Sequence, residues 1–173
     1  MRFLNKAYLA RCHACLVVVA LLICAAWSGH GARVSAQTAA ALLVIVAAGT
    51  SGADIEIGTL RQAYGGYSAI YNGTRLIPFN QAVGTPARAL FDRIVLDLSP
   101  DQVGAYWVDR KIRNGGQPPR TLPLANLVVR VVASLPGAIG YIEMDPRALP
   151  STVRVLTIAG KRPEDPDYPL RNR

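Results

Sequence analysis

The stretch Leu42-Leu43-Val44-Ile45-Val46-Ala47 limits the choice of fold more than any other part of this sequence. It is apolar throughout and β-branched at Val44, Ile45 and Val46, so it has no polar face. A strand with water on one side alternates apolar and polar residues. An unbroken run instead suits a strand covered on both faces, as in a parallel sheet layered with helices.

The residues that follow alternate between strand and helix signals. Gly49-Thr50-Ser51-Gly52 reads as a loop. Thr59 is placed to cap a short helix with Leu60, Ala63 and Tyr64 on one side, stopped by Gly65-Gly66. Asn72-Gly73 is a turn signal, and Arg75 to Phe79 reads as a second strand. Thr85-Pro86 opens a helix as cap and first residue, and Ala87, Leu90, Phe91, Ile94, Val95 and Leu98 continue it as an apolar stripe. Ser99-Pro100-Asp101-Gln102 carries a capping box for the next helix, with Val103, Tyr106 and Trp107 inward. Leu124, Leu127, Val128, Val131, Val132 and Leu135 form a third stripe, ended by Pro136-Gly137. Ala138 to Ile142 and Val153 to Ile158 read as strands. This order predicts one α/β domain with a mainly parallel sheet flanked by helices.

The start of the chain reads as a secretory signal peptide over residues 1–36. Arg2, Lys6 and Arg11 precede an apolar run from Cys15 to Trp27, and Val34-Ser35-Ala36 supplies a small-residue cleavage site, with the cut expected after Ala36. The run is shorter than the roughly 20 residues a spanning helix needs, so a membrane association would come only through an uncleaved leader. The expected location is the periplasm or another exported compartment. The expected layout is a leader (1–36), an α/β domain (37–160) and a flexible, proline-rich tail (161–173).

Cleavage after Ala36 would remove all three Cys and both His. The remainder could form no disulfide, no Cys/His zinc site and no Ser-His or Cys-His nucleophile pair. Losing Arg2, Lys6, Arg11 and Arg33 from the 19 basic residues leaves 15 against 11 acidic ones, a net +4. That favours anionic ligands slightly. No stretch clusters basic residues with aromatics, so nucleic acid is not an expected partner. No nucleotide, hydrolase or metal-site motif occurs. The carboxylate pairs Asp54/Glu56 and Glu143/Asp145 are too few for a metal, and neither metal nor cofactor is expected. With no catalytic constellation, the reading is binding rather than enzyme.

The candidate site is the loop Asn80 to Ala87, between a strand end and a helix start. Unpaired N–H groups and the positive end of the helix dipole can hold an oxyanion there. Gly84 permits close approach, Thr85 adds a hydroxyl, Pro86 has no N–H, and Arg88 could bend back toward an anion. Thr50 and Ser51 would face the same edge if their strand ran parallel to the second. The plainer alternatives are an ordinary capped turn, a solvated loop and a solvated arginine.

The segments LRQAYGG (60–66), RLIPFNQAVGTPARALF (75–91), LSPDQVGAYW (98–107), GGQPPR (115–120) and LPGAIGYI (135–142) together resemble the phosphate-binding-protein-like family of ABC-transporter periplasmic components, in a short, single-lobe form. The resemblance implies one lobe of a type II periplasmic-binding-protein fold. It implies phosphate or a similar oxyanion as ligand, held by Gly84 and Thr85, with Asn80 or Gln81 where the family places an arginine. It also implies a possible ABC permease, or another envelope protein, as partner. The alternative is an interaction module that docks on an envelope or transporter/sensor complex without a small-molecule ligand.

Overall fold

The computed structural model describes residues 41–143 and 145–172. The expected leader and its cleavage site lie outside them, as do all the Cys and His residues. No helix among the described residues is long and apolar enough to cross a membrane.

Five strands form the central sheet: β1 (Leu43–Ala47), β5 (Ile77–Gln81), β6 (Arg120–Leu122), β7 (Ala138–Ile142) and β8 (Val153–Val155), in the order β6-β5-β7-β1-β8. Two small pairs flank it. β2 (Asp54–Ile55) joins β9 (Thr157–Ile158) in parallel, and β3 (Ile70–Tyr71) joins β4 (Thr74–Arg75) antiparallel. That hairpin turns on Asn72 and Gly73, both at positive φ, as a two-residue hairpin turn of this kind requires.

Helices cover both faces. α1 (Ile57–Tyr64) and α2 (Pro86–Phe91), the latter continued by a π-helical turn over Asp92–Leu96, contribute to one core. α4 (Ala125–Ser134) packs on the other face. α3 (Pro100–Asn114) buries Trp107 and Arg110. Its Ser99–Gln102 capping box forms in full, and Gly115 ends it in the left-handed conformation. The helix over Leu60–Tyr64 starts earlier than Thr59 suggested: its N-cap is Glu56, which makes no side-chain cap bond.

The apolar run divides as strand periodicity demands. Leu42, Val44 and Val46 enter the core beneath α1 and α2, while Leu43 and Ile45 enter the core beneath α4. Every residue from Leu42 to Val46 is buried. Its direction differs from the sequence reading. β1 runs antiparallel to both neighbours, β7 and β8, and only the β6-β5-β7 side of the sheet is parallel. An unbroken apolar run reports coverage of both faces, which either strand direction satisfies.

Gly140 in β7 shows how close α4 lies. A Cβ there would stand 2.4 Å from Val128 Cγ1 and 3.3 Å from Val132 Cγ2. Gly140→Ala should therefore cost about 1–3 kcal/mol by overpacking, despite the gain that Gly→Ala usually brings through the unfolded chain. A lower urea midpoint with an unchanged m-value is the expected result.

Residues 161–173 were expected to be a loose tail, and the described part, 161–172, is instead packed. Tyr168 and Leu170 are completely buried. The Tyr168 hydroxyl donates to the Leu42 carbonyl at 2.9 Å, Leu42 N–H donates to the Leu170 carbonyl at 2.8 Å, and Ala41 bridges Arg171. The segment forms a strap, and two apolar anchors hold it against the start of β1.

Candidate functional site

The parallel strands β5 and β6 end on the same side of the sheet, where ligands of open α/β folds usually sit. The chain leaves β5 at Gln81 and turns through Ala82, Val83 and Gly84 into α2. Thr85 is the N-cap in extended conformation: its Oγ1 accepts from Arg88 N–H at 3.3 Å and donates to the Ala82 carbonyl at 2.9 Å. Pro86 holds the first helical position. Gly84 sits at φ +84°, and no atom lies within 4 Å of where its Cβ would be, so the turn opens to solvent on that side. Pro86 lacks an N–H and that of Arg88 goes to Thr85, so Ala87 supplies the helix-end N–H left without an intrahelical partner.

The turn rests on a buried polar group. Arg88 is turned inward rather than toward the turn's open side and is only 5 % exposed. Its Nε donates to Asp92 Oδ2 at 2.5 Å and its Nη1 to the Gln81 carbonyl at 3.3 Å. In the amide orientation that satisfies both neighbours, Asn80 accepts from Arg88 at 2.9 and 3.2 Å and donates to the Tyr141 hydroxyl at 3.3 Å. Gln81 donates its Nε2 to the Tyr141 carbonyl at 2.9 Å. Asn80, Gln81 and Arg88 thus fix the strand end to the helix start from within. Burial pushes the Asp92 carboxyl upward, against the pull of Arg88 beside it. Burial likewise raises the Tyr141 and Tyr64 hydroxyls, so both stay neutral.

Below this group lies an aromatic cluster. Phe91 of α2 stacks on Tyr141 of β7 at 3.8 Å between centroids, and Tyr64 of α1 meets Phe91 edge-on at 4.5 Å. The Tyr64 hydroxyl reaches the carbonyls of both Phe79 and Ile139. The helix carrying the turn is therefore anchored to two strands and another helix.

Thr50 and Ser51 are not part of this arrangement. Val46 pairs with Ile139, which pairs with Pro78, so the carboxyl end of β1 is level with the start of β5. Because β1 is antiparallel, Thr50 and Ser51 lie at the opposite end of the sheet from Gly84. There the Thr50 carbonyl accepts from Arg154 at 2.5 Å and the Ser51 carbonyl from Asn72 at 3.0 Å. Sequence reading missed Asp92, although its spacing of four from Arg88 is the ion-pair spacing of a helix. It also missed Tyr141, whose contacts join residues 61 apart in sequence and leave no local trace.

The other candidates are structural. Trp107 is buried under α3, and Asp54 accepts from Thr157 at 2.6 Å and from Gly160 N–H at 2.8 Å, which holds its carboxyl below the usual range.

No protein-family model and no curated protein matches this sequence. Solved structures do. A putative phosphate ABC transporter substrate-binding protein with bound phosphate from Clostridium perfringens is 15 % identical with a TM-score of 0.52, over 71 % of this chain and 46 % of that one. An ABC-type phosphate transport receptor from Vibrio cholerae is 13 % identical with a TM-score of 0.56, over 73 % and 50 %. PstS from Borrelia burgdorferi is 15 % identical with a TM-score of 0.57, over 77 % and 55 %. The chain thus shares the α/β fold of these phosphate-transport binding proteins and spans about half the length of each.

Proposed function

We propose that this chain is a non-enzymatic, solute-binding-type domain of an exported protein, holding phosphate or a similar small oxyanion at the β5–α2 turn. Gly84 and Ala87 are the contacts, through backbone N–H groups, while the Thr85 hydroxyl and N–H both go to the Ala82 carbonyl and hold the turn in shape. Arg88, Asn80 and Gln81 position the turn from behind. Thr50 and Ser51, at the far end of the sheet, have no part in it. The observation that carries the reading is the turn itself. A capped helix start with a left-handed glycine opens to solvent at the carboxyl end of parallel strands, in a fold shared with phosphate-binding proteins.

Arg88 is paired internally, so the anion would rely on dipoles rather than on that charge. A helix start contributes about 0.3–2 kcal/mol to anion binding, which implies weak affinity. Calorimetric titration with inorganic phosphate at low salt should give saturable binding in the millimolar range. Gly84→Ala puts a methyl group into the open space and should weaken binding about tenfold, equivalent to ~1.4 kcal/mol. An absence of binding by the native chain under these conditions would refute the reading.

One observation favours a second reading, a docking lobe for an ABC permease or another envelope protein. Val83, 84 % exposed, and Leu124, 58 % exposed, follow β5 and β6 at the same end of the sheet. They would give a protein partner apolar contacts beside the turn.

A further inference from the structure

We infer that a cleft at the opposite end of the parallel strands is a second binding site, for a small ligand that joins an anionic phosphate or carboxylate group to a short apolar body. The cleft follows from the lengths of two strands. β6 begins at Arg120, which pairs with Phe79, so Ile77 and Pro78 at the start of β5 have no β6 partner. The residues that would extend β6 are Pro118 and Pro119, which have no N–H to continue the ladder. The gap is a concavity of about 260 Å³, floored by Ile77 and Pro78 and walled by Tyr67, Ser68, Arg75, Pro118, Pro119 and Arg120. That is just below the roughly 300–1,000 Å³ of ordinary ligand pockets, which sets the ligand's size. It lies at the amino ends of β5 and β6, away from the β5–α2 turn, so the two sites are independent.

The charge is one-sided. Among the described residues no Asp or Glu lines the cleft, and neither the Arg75 nor the Arg120 guanidinium has an ion-pair or hydrogen-bond partner. A third guanidinium lies behind one wall. Arg110 stacks 4.0 Å over the Tyr67 ring and donates through Nη2 to the Gly66 carbonyl at 3.0 Å. Arg110 is buried, and its Nε has no partner. Like charges gathered around one concavity repel, and a bound anion relieves that repulsion. Guanidinium groups suit phosphate and carboxylate because their N–H donors match the spacing of the oxygens.

The apolar half of the ligand is set by the Tyr67 ring and the two prolines. Gly66 directs the tyrosine outward. It sits at φ +81°, and a Cβ there would stand 2.9 Å from the Trp107 ring, so glycine lets the backbone lie on Trp107 while Tyr67 stays mostly exposed.

The test uses the full chain with phenyl phosphate, inorganic phosphate and phenol as probes, read by amide chemical shifts. Phenyl phosphate is expected to shift Tyr67, Ser68, Gln117 and Arg120 and to bind more tightly than either fragment. Arg75→Gln and Arg120→Gln should each weaken it about tenfold or more, as loss of a charge-assisted hydrogen bond does. Both arginines are exposed and unpaired, so the variants should melt like the native chain. Inorganic phosphate should still shift the amides of residues 83–85, 87 and 88 in both variants. Unmoved amides in the cleft, affinity unaffected by either substitution, or equal affinity for phosphate and phenyl phosphate would each overturn the inference, whatever happens at the turn.

Discussion

Removing residues 161–173 should leave the domain unable to hold its fold at room temperature. Truncation strips Tyr168 and Leu170 from the core, both fully buried. Their own transfer to water costs about 3–6 kcal/mol together. It also uncovers Leu42 and leaves its N–H and carbonyl without the partners they now have in the strap. The whole stability of a domain is only about 5–15 kcal/mol, so the loss takes much or all of it. Tyr168→Ala alone should cost roughly 3–5 kcal/mol, enough to see as a lower thermal midpoint while the chain remains folded. A truncated chain that melts within a few degrees of the full one would show the strap to be dispensable.

Much of the fold was legible in the sequence, for reasons that also mark where legibility ends. Thr85-Pro86 and Ser99 to Gln102 announced their helix starts because capping is decided within four residues. Asn72-Gly73 announced its hairpin for the same reason. The run Leu42 to Ala47 announced burial on two faces, but strand direction depends on distant pairing with Ile139 to Ile142 and Val153 to Val155. That single unknown displaced Thr50 and Ser51 from the candidate site. The terminal strap was misread because averaged over polar and proline residues its composition looks unstructured, whereas its fate rests on Tyr168 and Leu170. The turn was visible as a pattern. The inward course of Arg88 was not, because it depends on Asn80, Gln81 and Tyr141 meeting in space.

The second large effect is expected at that arginine. Arg88→Ala leaves the Asp92 carboxylate buried without its counterion. Breaking a buried pair from one side costs about 3–5 kcal/mol, and here it also frees the Gln81 carbonyl and the Asn80 amide. Replacing both partners together, Arg88→Met with Asp92→Leu, should cost less than Arg88→Ala alone, since no charge is stranded. The pH dependence has a definite sign. Burial already raises Asp92, and loss of Arg88 raises it further. Its contribution is then complete below the unfolded carboxyl value of about 4 and is lost as pH rises through the folded value. The stability deficit of Arg88→Ala should be greatest at neutral pH and narrow toward about pH 4. Urea denaturation of both variants at the two pH values checks this. A deficit independent of pH would mean that Asp92 does not carry the cost.

These effects bear on the proposed function because the Arg88–Asp92 pair and the aromatic cluster below it hold the β5–α2 turn in place. Weak dipolar recognition tolerates little movement, since its small energy must not also pay for ordering the loop. A rigid base beneath an open turn is therefore what an oxyanion site of this kind needs.

The most direct measurement is a residue-resolved amide-shift titration of the native chain with inorganic phosphate at low ionic strength. Saturable shifts are expected at Val83, Gly84, Thr85, Ala87 and Arg88, with Thr50 and Ser51 unmoved. Shifts absent from this turn at millimolar phosphate, or confined to other parts of the chain, would contradict the proposed oxyanion site.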